Sequence, residues 1–386
     1  MNNFNFYNPT RILFGQNTIA EITDFIPEQA RVLILSGGKS ARKNGTIDEV
    51  VTSLGERYVE QFSGIEANPS YSTLMKAVQQ IKTNRLDYLL AVGGGSVIDG
   101  TKFVALAVSS DGDAWQDILV NKAQSISSAL PFSCVLTLPA TGSEMNKNSV
   151  ITRYETHEKM AFSSPLVYPQ FSVLDPTKAA TLPPRQLANG VVDAFTHIME
   201  QYLTYPVNAR VQDRFAEGLL TTLIEIGPAL LQDPNDYELQ ANFMWTASLA
   251  LNGLIGAGVP QDWATHMIGH ELTALHGLDH AQTLAIILPS VMNEQREQKH
   301  DKLIQYAERV WLITAGDDES RIDLAISKTR DFFEQMGVRT RLKDYQINLA
   351  DIPAMIKQLG EHGLNQLGEH GDINLDKSKR ILEASL

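Results

Sequence analysis

Four of the chain's nine histidines fall within fifteen residues, in the stretch HMIGHELTALHGLDH at 266–280. The pair His270-Glu271 begins like the metalloprotease motif HExxH, which needs its second histidine four residues after the first. Position 274 is alanine, and the next histidine is His276. The stretch is therefore not a zinc protease motif, and its histidines serve either another site or the packing of a helix.

An acid and a histidine with helical spacing occur earlier, in ANGVVDAFTHIMEQ. Asp193 and His197 are four residues apart, so on a helix they share a face about one turn apart. The later histidines show the same spacing in the pairs His266/His270 and His276/His280. One carboxylate with several imidazoles suits Zn²⁺ or Fe²⁺, whereas Mg²⁺ and Ca²⁺ prefer oxygen. Spacing does not say which histidines bind, and a surface ion pair is the alternative for Asp193 and His197.

A glycine-rich turn stands in DYLLAVGGGSVIDGTKF, the clearest strand–turn–helix pattern of the chain. Gly93, Gly94, Gly95 and Ser96 follow a buried strand and precede a helix predicted from Val97. Glycines allow a ligand to approach the backbone closely, and a helix N-terminus offers N–H groups and partial positive charge to a pyrophosphate. The turn lacks the GxGxxG fingerprint, so a tight turn without ligand is the alternative.

A second turn, SGGKSARKNG at 36–45, follows the second predicted strand. NAD-binding sheets often place an acid near such a strand end to hold the ribose 2′-hydroxyl. No acid stands here before Asp48; Gly37, Gly38 and Ser40 are accompanied by basic side chains at 39, 42 and 43. The turn favours a 2′-phosphate and hence NADP(H), with a solvated basic loop as the alternative. TLPATGSE, after the fifth strand, adds small and hydroxyl side chains that could line the same groove.

The two halves of the chain follow different patterns. Short β-rich runs alternate with helical stretches up to about residue 180, at 11–15, 31–36, 58–62, 87–92 and 134–139. This alternation predicts βαβ units and a parallel sheet. After TLPPRQLANG, apolar residues recur at three- and four-residue spacing, which predicts helices. We predict a Rossmann-like α/β dinucleotide-binding domain over 1–180 and an all-α metal-binding and catalytic domain over 181–386.

Composition narrows the class of protein. A 386-residue chain with 43% hydrophobic and 20% charged residues is typical of an ordinary soluble globular protein. The net charge of −13 argues against nucleic acid or an anionic membrane as partner. The single cysteine, Cys134, lies in an apolar run and is interpreted as a buried strand residue rather than a nucleophile. Without a signal peptide pattern or a membrane-length apolar run, the chain is expected to be cytoplasmic.

Taken together, these motifs resemble the iron-containing (group III) alcohol dehydrogenase family over essentially the whole length. The pattern from Val173 through Pro183, Gly190, Asp193 and Glu200 fits one family signature, and WATHMIGHELTALHGLDHAQT fits the other. GGGSVIDGTK and TLPATGSE occur at the corresponding places. The chain is most similar to the NADPH-dependent butanol dehydrogenase and broad-substrate aldehyde reductase branch.

The resemblance assigns roles position by position. It implies the metal ligands Asp193, His197, His266 and His280, and it places His270 beside the metal as a possible proton relay. It implies that the pyrophosphate binds Gly94, Gly95 and Ser96 near Asp99, with Thr137, Leu138, Thr141 and Lys159 close to the cofactor and Gly37, Gly38 and Ser40 at its adenosine end. It also implies a homodimer, and the branch favours zinc over iron. His276 receives no role.

The expected reaction is hydride transfer between NADPH and short-to-medium aldehydes, with the metal polarising the carbonyl oxygen. His270 suits proton transfer near neutrality, because an imidazole has an ordinary pKa of about 6.5. A metal- and NAD-dependent lyase of the 3-dehydroquinate synthase type is the alternative, although GLIGAGVPQDWATHMIGH lacks the basic residues that such substrates need. A non-catalytic metal or nucleotide sensor is a further alternative. The physiological substrate is not fixed by the sequence.

Overall fold

The computed structural model describes residues 1–156 and 158–386. The chain forms two compact units. One unit comprises Tyr7–Leu182 and Pro234–Ser248, and the other comprises Met1–Phe6, Pro183–Asp233 and Leu249–Leu386. The first is an α/β unit and the second is helical, and each is described by itself below.

The α/β unit is built on a parallel sheet that has six strands among the described residues. The strands are β1 Arg11–Phe14, β2 Arg31–Ser36, β3 Tyr58–Ser63, β4 Tyr88–Gly94, β5 Phe132–Leu138 and, after a separate hairpin of β6 Asn148–Arg153 and β7 Glu158–Ser163, β8 Phe171–Leu174. The order across the sheet is β1-β8-β5-β4-β2-β3. The predicted parallel sheet is thereby confirmed.

Both faces of this sheet are buried. Val32 and Ile34 of β2 pack into one hydrophobic cluster, and Leu33 and Leu35 pack into the other. Successive strand residues point to opposite faces, so near-continuous apolar runs are what a sheet covered on both sides requires. Because β2, β4 and β5 are neighbouring parallel strands, their carboxyl ends lie at one edge of the sheet, and the loops predicted to bind the cofactor follow these three ends.

Helices cover the sheet and fill the second unit. They are α1 Ser40–Lys43, α2 Thr46–Leu54, α3 Tyr71–Asn84, α4 Gly95–Ala107, α5 Pro184–Tyr202, α6 Arg210–Gln232, α7 Tyr237–Ala250, α8 Ala264–His276, α9 His280–Glu294, α10 His300–Arg309, α11 Asp318–Gln335, α12 Ile352–Glu361 and α13 Leu375–Ala384. Short 3₁₀ segments lie at Thr18–Asp24, Ser143–Met145, Pro165–Val167, Pro176–Lys178, Leu342–Tyr345 and Leu349–Asp351, with a π turn at Trp115–Val120. No helix in the described ranges has the length and apolarity to cross a bilayer.

The structure adds details that local sequence patterns did not give. The helix after the glycine turn begins at Gly95 rather than at the predicted Val97, because Gly94 is the last extended residue. The helix α2 stops at Leu54, because Gly55 has a φ of 61°, which glycine adopts readily. The strand β6 was not predicted, since its run NSVITR is short and is defined by antiparallel pairing with β7.

The helical unit resumes at Pro183, after Tyr7–Leu182 of the α/β unit. α5 starts at Pro184, and proline is favoured at the first position of a helix because its missing N–H has no partner there. Helices α8, α9, α12 and α13 share a core that includes Ile268, Ile287 and Met355. This core fixes α8 against α9, which between them carry the histidines of the stretch 266–280.

Candidate functional site

The glycine turn at the carboxyl end of β4 is tightly packed. A Cβ added at Gly93 would come within 2.6 Å of the Val97 side chain, one at Gly94 within 2.9 Å of Leu138, and one at Gly95 would overlap Thr141. Close packing therefore requires glycine at these three positions. This packing alone would explain the glycines, even if no ligand bound to the turn. The start of α4 at Gly95 nevertheless leaves the first N–H groups of a thirteen-residue helix at this edge of the sheet.

The turn after β2 is open by comparison. Gly38 and Ser40 are exposed, as are the basic side chains that follow in α1. A Cβ added at Gly38 meets nothing within 4 Å, whereas one at Gly37 would lie 3.3 Å from the Ile65 carbonyl oxygen. The sheet edge thus offers space and positive charge beside the glycine turn, and acids are absent from this turn as the sequence indicates.

Asp99 lies on α4, and its carboxylate is engaged within the unit. Ser143 donates to Oδ1 at 2.5 Å, and the Val150 N–H donates to Oδ2 at 2.9 Å. Burial raises the pKa of Asp99, whereas the positive charges of Lys102 and Lys159 lower it and so reduce the shift. Lys159, opposite Thr152 in the hairpin, is thus close enough to act on Asp99 electrostatically. Thr137 is buried at the end of β5.

Lys102 is a fully buried cation that sequence reasoning did not single out. Its ammonium donates to Ser143 Oγ at 2.7 Å, to Asn146 Oδ1 at 2.9 Å and to the Asn148 carbonyl oxygen at 2.7 Å. These contacts fasten the loop that follows β5 to α4. Burial lowers the pKa of Lys102 to about 8, although the charge of Asp99 opposes the shift.

Replacing Lys102 by methionine is expected to destabilise the protein by about 3 kcal/mol, because the buried oxygens of Ser143 and Asn146 and the partly buried Asn148 carbonyl oxygen lose the Lys102 ammonium. Between pH 8 and the usual value of 10.5, the unfolded chain retains a proton that the folded chain has released, so rising pH stabilises the folded native protein through this group. The difference in the free energy of unfolding between the native and Lys102→Met proteins, the stability gap, should therefore widen from pH 8 to pH 10. Urea unfolding at both pH values measures it.

The exposed Lys82 offers a matched control, since Lys82→Met removes an ammonium from solvent. Burial raises the pKa of Cys134 to about 12 in the folded protein, and the native and variant proteins both contain this thiol, so its own titration cancels from the gap. A gap that stays constant or narrows with pH contradicts the role given to Lys102.

The stretch 266–280 folds as two helices joined by a tight turn. α8 ends at His276, where Gly277 adopts a φ of 69°, and Asp279 then caps α9 in a capping box with Gln282. His276 and His280 therefore lie on different helices, and the expectation that they share one helix face is wrong. The turn brings His280, the first residue of α9, back beside α8.

The predicted metal residues meet in the helical unit. Ligand atoms of Asp193, His266 and His280 all lie within 4.8 Å of one another. Asp193 Oδ1 is 3.7 Å from His280 Nε2 and 3.6 Å from His197 Nδ1. His197 is not in the group of three, but its ring stacks on His266 with centroids 4.7 Å apart. α5, α8 and α9 thus contribute one or two residues each to a single cluster.

Glu200 orients His266 within this cluster. It lies on α5, 2% exposed, and its Oε1 accepts the Thr265 N–H at 2.7 Å while Oε2 is hydrogen-bonded to His266 Nδ1. With Nδ1 engaged, Nε2 is the nitrogen that His266 can present to a metal, a carboxylate–histidine arrangement common around metal sites. Burial raises the pKa of Glu200, and the charge of Asp262 adds to the shift. A bound cation would favour its ionised form.

The cluster fits a divalent metal. Asp193 is 4% exposed, and in the described part of the chain its Oδ1 accepts no hydrogen bond. Distances of 3.6 and 3.7 Å to imidazole nitrogens are too long for hydrogen bonds. A buried carboxylate oxygen without such a partner requires compensation. One carboxylate with imidazole nitrogens is a donor set suited to Zn²⁺ or Fe²⁺.

The remaining residues of the stretch are accounted for differently. His270 is buried, and its ring centroid lies 5.4 Å from that of His280 and 6.4 Å from that of His266. Glu271 accepts a hydrogen bond from His362 Nδ1 at 2.8 Å and so ties α8 to the end of α12. His276 is the last residue of α8, where a cation would interact favourably with the helix dipole.

Sequence reasoning named Glu200 only as part of a family signature, without a role, and did not single out Lys102. A signal for Glu200 was present, since it follows His197 by three residues and Asp193 by seven and so shares their helix face. Lys102 follows Asp99 at helical spacing inside an otherwise apolar helix, which is an unusual place for an exposed lysine. Neither pattern identifies the partners, which come from other elements.

Both halves of the chain match known family patterns. Residues 9–176 match the family described as iron-containing alcohol dehydrogenase, and residues 187–385 match the C-terminal part of the Fe-containing alcohol dehydrogenase family.

Two curated relatives span the full length. The NADPH-dependent aldehyde reductase YqhD of Escherichia coli (strain K12) is 59% identical over 387 residues, and a probable NADH-dependent butanol dehydrogenase 1 of Bacillus subtilis (strain 168) is 40% identical over 391 residues; each alignment covers 100% of both chains. A crystal structure of E. coli K-12 YqhD superposes with a TM-score of 0.98 at 59% identity, covering 100% of this chain and 99% of that one. The NADH-dependent butanol dehydrogenase A of Thermotoga maritima gives 0.95 at 34% identity, with 100% and 99% covered.

Proposed function

The chain belongs to the iron-containing alcohol dehydrogenase family, and from that premise we propose that it is a metal-dependent, NADPH-dependent aldehyde reductase. The reaction converts an aldehyde, NADPH and a proton into a primary alcohol and NADP⁺. The hydride leaves the nicotinamide for the carbonyl carbon, and the proton joins the carbonyl oxygen. The observation that carries the proposal is the cluster formed by the buried Asp193 carboxylate and three imidazoles, of which that of His280 is partly exposed.

Asp193, His197, His266 and His280 would hold one divalent cation. When bound, the cation supplies a Lewis acid that polarises the carbonyl oxygen of the substrate. The family description names iron, while the donor set suits zinc equally, and we retain zinc as the first expectation. Glu200 keeps the His266 ring in the orientation that presents Nε2, and Asp193 contributes the one formal negative charge of the set. His270, buried beside His266 and His280, is proposed to pass the proton to the product oxygen.

The cofactor is proposed to bind at the carboxyl edge of the parallel sheet. The N-terminus of α4 at Gly93, Gly94, Gly95 and Ser96 would receive the pyrophosphate, with Asp99, Thr137, Leu138, Thr141 and Lys159 nearby. Gly37, Gly38 and Ser40 would receive the adenosine end. The exposed basic residues of that turn favour a 2′-phosphate, in agreement with the NADPH dependence named for the 59% identical relative.

The substrate is proposed to be a neutral aldehyde of short to medium length. The segment from Gly253 to His270 contains no lysine or arginine, so it offers no cation to a carboxylate or phosphate substrate. A lyase of the 3-dehydroquinate synthase type would need such cations. Nothing in the relatives named above, a reductase and butanol dehydrogenases, favours that alternative.

The test is a reduction assay with butanal and each coenzyme. We expect stoichiometric consumption of NADPH and formation of butanol, with a lower rate for NADH. If the protein consumes neither NADPH nor NADH with butanal or with other short- to medium-length aldehydes, the proposal is wrong. A product formed while the coenzyme returns unchanged would indicate the lyase instead.

We also propose the oligomeric state and the location of the protein. A homodimer follows from the family resemblance, and light scattering on the purified protein measures it. A cytoplasmic location is consistent with the single, buried thiol of Cys134.

A further inference from the structure

Lys299 is a buried cation held by two buried acids. Its side chain is 2% exposed, and its ammonium lies 2.9 Å from Asp262 Oδ2 and 2.8 Å from both oxygens of Glu369. It also donates to the Leu203 carbonyl oxygen at 2.6 Å. Burying such a group is costly, and apolar residues of similar volume often stabilise a fold as well or better. The three side chains therefore call for an explanation beyond stability.

Asp262 connects this triad to the start of α8. Its Oδ1 accepts the Ala264 N–H at 2.9 Å, and its own N–H donates to the Glu200 carbonyl oxygen at 2.9 Å. One carboxylate thus receives the Lys299 ammonium on one oxygen and the first helical N–H on the other. The position of Asp262 is set from both sides.

Trp263, between Asp262 and α8, has a backbone that large side chains rarely adopt. Its φ is 64° and its ψ is 4°, in the left-handed region. Such strain persists only where the surroundings over-determine the conformation, and it often marks functional sites. Here the hydrogen bonds of Asp262 on one side and of Thr265 to Glu200 on the other enclose the strained residue.

The strained backbone directs the indole toward two of the proposed metal ligands. The Trp263 ring lies edge-on to His266, with centroids 5.3 Å apart, and 6.2 Å from His197. Its Nε1–H donates to Gln261 Oε1 at 2.8 Å, which fixes the ring rotation. The indole and Glu200 thus confine the His266 imidazole from two directions.

We propose that Lys299, acting through Asp262, holds the strained Trp263 turn and thereby fixes the His266 and His197 imidazoles in the arrangement that a metal ion needs. Lys299 is a positioning residue and does not itself bind the metal. The inference rests on the proposed metal site. Outer partners of metal ligands change metal affinity by about 10–100-fold when they are replaced, and that is the range expected for Lys299→Met.

Lys302, in the first turn of α10 and three residues after Lys299, provides a matched control. It is 5% exposed, and its ammonium lies 2.6 Å from the partly exposed Asp213 of α6. Lys302→Met removes a buried ammonium and its ion pair, but it does not touch the turn before α8. A general loss of stability should therefore appear in both variants, whereas a loss of metal affinity should appear in one.

The experiment is a Zn²⁺ titration of metal-free protein against a chromophoric chelator, accompanied by the visible spectrum of the Co²⁺-loaded protein. For Lys299→Met, we expect zinc affinity to fall by about 10–100-fold and the Co²⁺ bands to shift. For Lys302→Met, we expect affinity and spectrum like those of the native protein. Equal affinity in native and Lys299→Met protein, or equal losses in both variants, overturns the inference.

Asp262→Asn decides the question if Lys299→Met does not fold. The change keeps the shape and leaves Lys299 balanced by Glu369, but the amide has one acceptor oxygen for two donors. We expect a weaker zinc affinity, by about 10-fold, and an unchanged affinity contradicts the inference. If native protein itself does not bind Zn²⁺, the proposed metal site fails first, which distinguishes the two failures.

Discussion

Replacing His280 by alanine is expected to lower kcat/KM for butanal reduction by roughly a thousandfold and to remove the metal from the purified protein. His280 contributes one of three ligand atoms that lie within 4.8 Å of one another, and it is the member on α9. Losing its nitrogen leaves Asp193 and His266 to hold the cation with His197. Metal content and turnover are measured on the same preparation.

His276→Ala is the matched control for this change. His276 belongs to the same stretch of the chain, but it ends α8 and lies outside the group of three. We expect the control to retain metal and turnover close to those of the native protein. Native turnover in a metal-free His280→Ala protein would exclude the proposed role of the cluster.

Replacing Gly38 by aspartate is expected to shift the ratio of kcat/KM for NADPH over NADH by about 100-fold toward NADH, because juxtaposed like charges cost several kcal/mol. A carboxylate there would repel a 2′-phosphate and accept a hydrogen bond from the 2′-hydroxyl of NADH. The new Cβ meets nothing within 4 Å, so the backbone should accommodate the side chain. Initial rates with each coenzyme measure the ratio.

Gly218→Asp serves as the control, because it adds the same charge at an exposed position of α6 with open space around the Cβ. It should leave the coenzyme ratio as it is in the native protein. The 2′-phosphate assignment does not survive if Gly38→Asp also leaves the ratio unchanged.

The fold class could be predicted from the sequence because the residue patterns that indicate strands and helices are local. The strand Arg31–Ser36 has four consecutive apolar residues at its centre, and helices such as Tyr71–Asn84 place apolar residues on one face. The strand Asn148–Arg153 was not predicted, because its antiparallel pairing with β7 defines it rather than a pattern in its own residues. Boundaries shifted where a glycine conformation ended or began an element, as at Gly55 and Gly94.

The site was harder to predict than the fold. Spacing placed Asp193 and His197 on one helix face, but it also placed His276 and His280 on one face, which the turn at Gly277 prevents. The family resemblance, rather than geometry, separated His280 from His276 as an expected ligand. The burial of charges such as Glu200 and Lys299 arises from elements distant in sequence, so local patterns do not indicate it.

The most direct test of the central claim is to titrate metal-free protein with Zn²⁺ or Fe²⁺ while following NADPH-dependent butanal reduction. With one metal site formed by Asp193, His197, His266 and His280, the rate should rise from near zero and level off at one metal ion per chain. Full turnover in protein shown to be free of metal would contradict the claim.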